Sequence, residues 1–114
     1  MQREARRHPR HAVEGLSAVV NGVDCAIIDI SVLAVRVVGR LKDFDIQHGT
    51  DTPISLEFRR DMDGKIVLPA GDGVKLNRHC DVFTVLNFEI DRTVIDDLIA
   101  EYDSFSNTAL KEIF

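Results

Sequence analysis

The dipeptide Asn21-Gly22, set between two apolar segments, constrains the fold more than any other feature of the chain. Residues 13–20 and 23–29 on either side of it are both rich in apolar side chains. An Asn-Gly pair in this setting is a strong signal for a two-residue hairpin turn, because both residues adopt positive φ readily. The sequence therefore predicts an antiparallel pair of strands over residues 13–29.

Further strand candidates follow at short spacing. Residues 54–58 alternate between apolar and polar side chains, which puts Ile54, Leu56 and Phe58 on one face. The other candidates are residues 34–38, 65–68, 74–78 and 82–90, whereas residues 41–51 are predicted to form a loop. Short strands joined by glycine-containing turns are typical of a small antiparallel barrel. We therefore expect a mainly β fold.

The hydrophobic period changes after the last strand. Apolar side chains then recur at helical spacing, and either Asp91 or Thr93 is the expected N-cap. The apolar positions are Val94, Ile95, Leu98, Ile99 and Tyr102. We expect this helix to cover one opening of the barrel. Residues 103–114 extend beyond it, either as a packed tail or as an apolar hook for a partner or a second copy.

Length and composition fit one small domain. The chain has 114 residues, of which 45 % are hydrophobic and 29 % charged, and it contains no apolar run of membrane-spanning length. Cys25 and Cys80 stand alone, without the spacing of a metal or redox motif. Unpaired thiols in a reducing cytoplasm are therefore expected.

Charge is distributed unevenly along the chain. Residues 1–11 carry four arginines against one glutamate, a net charge of +3. Residues 12–114 carry ten basic and eighteen acidic side chains, a net charge of −8. A single basic cluster on an acidic chain predicts a local site for a compact anion rather than a general nucleic-acid surface.

Two short motifs contain the candidate binding residues. Arg6 and Arg10 form an RxxxR pair with Arg7 between them, and Asp29 and Ser31 open a DxSxxA segment. A guanidinium matches the O6 and N7 acceptors on one edge of guanine, and a carboxylate accepts from the N–H donors on the other. Arginine also pairs with phosphate oxygens and stacks on bases. These residues therefore suit a guanine nucleotide that carries several phosphates.

In this order and at this separation, the two motifs resemble the PilZ domain, the bacterial receptor module for cyclic di-GMP. That family is marked by RxxxR followed by D/N-x-S-x-x-G, and Ala34 stands at the position of the motif's glycine. The resemblance covers roughly residues 3–102. It implies a six-stranded barrel with a closing helix over residues 12–102, a flexible basic arm over residues 1–11 and a C-terminal extension over residues 103–114.

The resemblance also implies a role for each motif residue, with cyclic di-GMP held between the arm and the barrel. Arg6 and Arg10 are expected to contact the bases and phosphates, and Arg7 to stack on a base or contact a phosphate. Asp29 is expected to read a guanine edge. Ser31 and the backbone near residue 34 are expected to lie beneath the ligand.

Ala34 is the one departure from the motif. Glycine is used where the backbone takes positive φ or approaches a ligand closely. A Cβ in a left-handed conformation costs about 1–2 kcal/mol, and affinity falls about tenfold for each 1.4 kcal/mol. We therefore expect Ala34 to be tolerated if its φ is negative.

Each motif also has a purely structural interpretation. Arginine-rich termini are commonly just solvated. An Asp before a Ser at a strand end commonly forms a turn, in which the short side chains bond to nearby backbone. Both interpretations stay open for Arg6, Arg7, Arg10, Asp29 and Ser31 at this point.

The sequence predicts a regulatory or adaptor protein, with no catalytic residues and no metal site. Cyclic di-GMP is the expected ligand, and an unidentified protein partner in motility, biofilm or envelope functions is the expected target. The main alternative is a PilZ-like interaction module that no longer binds nucleotide. A barrel that binds single-stranded nucleic acid is disfavoured, because the chain has only six Phe, one Tyr and no Trp, and its barrel portion is acidic.

Overall fold

In the described part of the chain, seven antiparallel strands form one sheet, and one α-helix follows them. The structure is a computed structural model that describes residues 9–49, 52–70 and 73–104. The elements are β1 (Leu16–Val20), β2 (Val23–Ile30), β3 (Ala34–Val38), β4 (Leu56–Arg60), β5 (Ile66–Ala70), β6 (Lys75–His79), β7 (Phe83–Asn87) and α1 (Arg92–Tyr102). The prediction of a mainly β fold is confirmed. Each of the seven strand candidates corresponds to a strand, whereas the family resemblance implied six.

Strand order in the sheet is β5-β4-β1-β2-β3-β7-β6. Most neighbours in this order are also consecutive in sequence, because short turns favour pairing between adjacent strands. The strands that pair without being consecutive are β1 with β4 and β3 with β7. This order leaves β5 and β6 at the two ends of the sheet.

Two tight hairpins position the strands that matter for the site. The predicted Asn21-Gly22 turn is confirmed: φ is 49° at Asn21 and 83° at Gly22, and Val20 pairs with Val23 across the turn. The second hairpin joins β2 to β3. It is closed by the Ser31 N–H, which donates to the carbonyl oxygen of Ala34 at 2.8 Å.

The core lies on the inner face of the strands and beneath the helix. In β3, Val35 and Val37 are buried, whereas Arg36 between them is on the outer face, as the two-residue period of a strand requires. Burying each side chain of this size is worth roughly 1.5–3 kcal/mol. The largest fully buried side chains are Phe44, Phe58, Ile30, Leu56, Leu86 and Ile95.

The helix begins and ends as the sequence indicates. The carboxylate of Asp91 accepts from the Thr93 N–H at 2.8 Å, so Asp91 is the N-cap. Three helix side chains are buried in the common core: Ile95, Leu98 and Ile99. Among the described residues, no helix is long and apolar enough to cross a membrane.

Several boundaries differ from the predicted ones because distant segments compete for backbone hydrogen bonds. β4 begins at Leu56 rather than at residue 54, since the Ser55 N–H donates to Asn21 Oδ1 at 2.8 Å and the Ser55 carbonyl accepts from the Asn21 N–H. The predicted loop contains a 3₁₀-helix, Leu41–Phe44, that seats Phe44 in the core. Phe44 needs Gly39 beneath it, because a Cβ there would lie 2.5 Å from its ring.

Candidate functional site at the end of β2

The segment just before β1 joins the end of β2 to the end of the helix. His11 and Ile30 exchange two backbone hydrogen bonds, of 2.8 and 2.9 Å. Three residues later, the Glu14 N–H donates to the carbonyl oxygen of Tyr102 at 3.0 Å. Residues 11–14 therefore lie between β2 and the C-terminus of α1, and this is why β1 begins at residue 16 rather than at residue 13.

A side-chain contact reinforces this position. Nδ1 of His11 lies 2.7 Å from Oδ2 of Asp103, the residue that caps the C-terminus of α1. The Asp103 side chain is only 8 % exposed, and Val13 also pairs with Asp103 through the backbone. A carboxylate this deeply buried needs hydrogen-bond donors. His11 supplies one of them and thereby holds the segment against the helix.

The His11–Ile30 pairing determines where Arg10 lies. In an antiparallel pair the residues on either side of a bridge are also opposite each other, so Arg10 is opposite Ser31. Successive residues of extended backbone point to opposite faces. This alternation predicts that Arg10, which is half-buried, is on the face of β2 that carries Asp29, and that His11 is on the side of the buried Ile30.

Asp29 forms an ion pair with Arg36, its direct cross-strand partner in β3. Nε of Arg36 donates to Oδ1 of Asp29 at 3.3 Å, and the Arg36 Nη2 donates to Oδ2. The Asp29 side chain is 15 % exposed. Each carboxylate oxygen accepts more than one hydrogen bond, so the outer edge of Asp29 keeps acceptor capacity. Arg36 fixes the direction in which that edge points.

Arg36 is itself supported by an aromatic ring. Its guanidinium lies 4.9 Å from the ring centroid of Phe83 in β7, and Arg78 of β6 lies 5.7 Å from the same ring. Both separations fall within the range of cation–π attraction. Two cationic side chains, from β3 and β6, therefore lie around Phe83, and one of them pairs with Asp29.

Ser31 is built into the hairpin turn. Its Oγ accepts from the Ala34 N–H at 3.2 Å and from the Leu33 N–H at 3.4 Å, and the residue is 9 % exposed. This is the turn chemistry that the short side chain of serine favours. The structure thus gives Ser31 a turn-forming role, and its contact with a ligand stays a prediction.

Ala34 is the first residue of β3 and pairs with Asn87 of β7. It does not have positive φ: in the described part of the chain, the non-glycine residues with positive φ are Asn21 and Asp45. The left-handed strain that would accompany an alanine at a glycine position is therefore not present at Ala34.

The structure thus brings Arg10, Asp29 and Ser31 to one end of β2, with Ala34 across the hairpin. Arg6 and Arg7 lie outside the described residues. The arrangement presents a guanidinium, an oriented carboxylate and the backbone of a tight turn on one face. Such a set offers donors to an anion and acceptors to the N–H groups of a base.

Sequence reasoning missed two contributors to this site. Arg36 could have been found, because a turn closed by Ser31 and Ala34 sets Asp29 opposite Arg36 by simple hairpin counting. His11 and its partner Asp103 could not, because the chain separates them by 92 positions and no local pattern joins them.

Comparison of the chain with protein families, with curated proteins and with solved structures found no match. The function is therefore argued from the residues and geometry of the site.

Proposed function

We propose that the protein is a PilZ-like, single-domain regulatory module that binds cyclic di-GMP and acts on a protein partner. One observation supports the proposal above the others: the backbone pairing of His11 with Ile30 puts Arg10, the second arginine of RxxxR, next to the end of β2, the strand that contains Asp29. The two halves of the motif are 19 positions apart in sequence, counted from Arg10 to Asp29, yet the residues that follow them, His11 and Ile30, are paired.

The chemistry of the ligand fits these groups. Cyclic di-GMP offers guanine edges with N–H donors, guanine edges with O6 and N7 acceptors, and anionic phosphodiesters. Asp29, held by Arg36, accepts from the N1–H and N2–H of one guanine. Arg10, with Arg6 and Arg7, contacts the phosphates and the O6 and N7 edge. The turn formed by Ser31 and the backbone near residue 34 lies beneath the ligand.

The proposed fold is correspondingly a PilZ-like barrel, open between β5 and β6, with α1 over one opening. The helix is already packed into the common core through Ile95. In this proposal, the protein works in the cytoplasm, a reducing compartment that fits the free thiols of Cys25 and Cys80.

Signalling in this proposal runs through the arm. Ligand binding orders arm residues, at a conformational entropy cost of roughly 1–2 kcal/mol per residue that ligand contacts offset. Because His11 pairs with Asp103, the base of the arm is connected to the end of α1. The surface formed by the arm and helix end is what the partner in motility, biofilm or envelope functions recognises.

A second candidate is a PilZ-like interaction module without a nucleotide ligand. The observation that favours it is that Asp29 and Ser31 both have partners inside the protein, Arg36 for the carboxylate and the hairpin backbone for the hydroxyl. In that case the motif residues serve the fold alone, and partner binding is independent of nucleotide.

Isothermal titration calorimetry with cyclic di-GMP tests the proposal. Saturable binding to the wild type that is lost in Arg10→Ala and Asp29→Ala is the expected result. Arg59→Ala, a matched arginine change on β4, should leave binding unchanged. Cyclic di-AMP should bind more weakly, because adenine lacks the guanine edge that Asp29 reads. Absence of heat and of thermal shift at hundreds of micromolar ligand would refute the proposal in favour of the second candidate.

A further inference from the structure

A large cleft lies away from the arm, between the loop before β4 and the end strand β6. Its volume is about 1410 Å³, above the roughly 300–1,000 Å³ typical of small-molecule sites. Apolar groups form part of its wall. These are Ile46, Ile54, Val74 and Leu76.

Basic side chains supply the charge of the cleft. Lys75 and Arg78 line it from β6, and the rings of His48 and His79 meet across it with centroids 5.1 Å apart. None of the described lining residues is acidic, although the chain has 19 acidic and 14 basic side chains. The Glu89 carboxylate lies beside Gly73, one of the lining residues. A positively charged cleft on a protein of negative net charge concentrates the electrostatic field and attracts anionic groups.

The strand along the cleft has an open side. In the described part of the chain, β6 pairs with β7 alone, and it stands at the end of the sheet. Its residues are exposed apart from the half-buried Leu76. The backbone N–H and C=O groups on the outer side of such a strand are a template for another extended chain.

We propose that this cleft is a docking groove for an extended acidic peptide segment of a partner protein, which adds to β6 as a further strand. Charge complementarity with Lys75 and Arg78 selects acidic side chains. Every second residue of an added strand faces the opposite way, so apolar residues at alternate positions meet Leu76 and Ile54. This proposal does not depend on nucleotide binding at the arm.

The test uses the full chain labelled with ¹⁵N and an eight-residue peptide that alternates Glu and Val. We expect saturable chemical-shift changes at the amides of residues 74–79 and 46–49, and none at the arm. Lys75→Glu and the double variant Lys75→Glu/Arg78→Glu should weaken binding, the double variant by at least about tenfold, because charge reversal adds repulsion to the lost attraction. Lys42→Glu makes the same charge change outside the cleft and should have no effect.

Two modified peptides separate strand addition from simple charge attraction. A peptide with the same side chains but with alternate backbone amides N-methylated keeps its charge and loses donors, and it should bind at least about fivefold more weakly. A Lys-Val peptide should not bind. Circular dichroism of each protein variant confirms that the fold is retained.

Three results would overturn the proposal. The first is no saturable shift with millimolar Glu-Val peptide, and the second is equal binding of the N-methylated peptide. The third is displacement of the peptide by inorganic pyrophosphate at comparable concentration, which would assign the cleft to a small anion. Arg10→Ala should leave peptide binding intact, so failure here and failure of the nucleotide proposal are distinguishable.

Discussion

The imidazole of His11 lies 2.7 Å from the carboxylate of Asp103, across 92 positions of sequence. This contact links the segment that follows the arginine motif to the C-terminal cap of the helix. The backbone on both sides is paired as well, since Val13 bridges to Asp103 and His11 bridges to Ile30. The arm base, the end of β2 and the end of α1 therefore form one connected unit.

Replacement of His11 by alanine should destabilise this unit. Hydrogen bonds to charged groups contribute about 1.5–3 kcal/mol, and Asp103 is buried, so we expect His11→Ala to lower the free energy of unfolding by about 1–2 kcal/mol. Urea denaturation measures this change. His48→Ala, a histidine in an exposed position, is the matched control and should change stability far less. Equal stability of His11→Ala and wild type would contradict the structural role of the contact.

The ion pair between Asp29 and Arg36 should appear as an energetic coupling. Both side chains are less than a quarter exposed, at 15 % and 24 %, and their contact is bidentate. We expect a double-mutant cycle of Asp29→Ala and Arg36→Ala to give a coupling of about 1 kcal/mol. The coupling is calculated from the unfolding free energies of the wild type, the two single variants and the double variant. Additive effects of the two changes would show that the pair does not stabilise the hairpin.

Replacement of Ala34 by glycine should not raise the stability of the protein or its affinity for ligand. Ala34 occupies a strand without positive φ, so Ala34→Gly only adds backbone freedom to the unfolded chain. The expected loss is about 0.5–1 kcal/mol of stability, read from thermal or urea unfolding. If the protein binds cyclic di-GMP, its affinity should change by less than about threefold, or about 0.65 kcal/mol. A large gain in affinity would instead mean that the Cβ of Ala34 obstructs the ligand.

The two cysteines should differ sharply in reactivity. Burial, with the nearby negative charge of Asp24, raises the pKa of the Cys25 thiol to about 12. The thiolate is the reactive form, so at about pH 8 only roughly one Cys25 in 10⁴ is reactive. Cys80 is exposed. Titration with a disulfide reagent should therefore give one fast thiol, which Cys80→Ser removes and Cys25→Ser leaves in place.

Asp63 should remain ionised to unusually low pH. Hydrogen bonds from Arg60, then from the backbone N–H of Lys65, lower the pKa of the Asp63 carboxyl to about 2 from its usual 3.8. Because the folded pKa is depressed, the contact supports the β4–β5 hairpin at pH above 3.8 and is lost as pH falls through about 2. NMR titration of the carboxyl carbon reads the midpoint directly. Arg60→Gln should move that midpoint back towards 3.8, and an unchanged midpoint would exclude Arg60 as the cause.

Local signals in the sequence identified most elements of the fold. The Asn21-Gly22 turn, the strand Ala34–Val38 and the Asp91 cap all depend on residues within a few positions of one another. Turn chemistry, two-residue alternation and capping act over that range, so the sequence alone carries them.

Other features of the fold could be identified only from the three-dimensional structure. The later start of β4 and the 3₁₀-helix over Leu41–Phe44 were not predicted. Each depends on which distant segment takes a backbone hydrogen bond or a place in the core, as Ser55 does with Asn21. Composition and periodicity do not encode such choices.

For the candidate site, the sequence by itself determined the residue types: an RxxxR arm, a carboxylate at the end of β2 and a serine turn. Tertiary structure decided what those residues contact. It placed Arg10 beside β2, gave Asp29 an arginine partner and brought β6 against the loop before β4 to form the basic cleft. The physical reason is that hairpin chemistry is local, whereas strand register and side-chain pairing across the sheet arise only when the whole core packs.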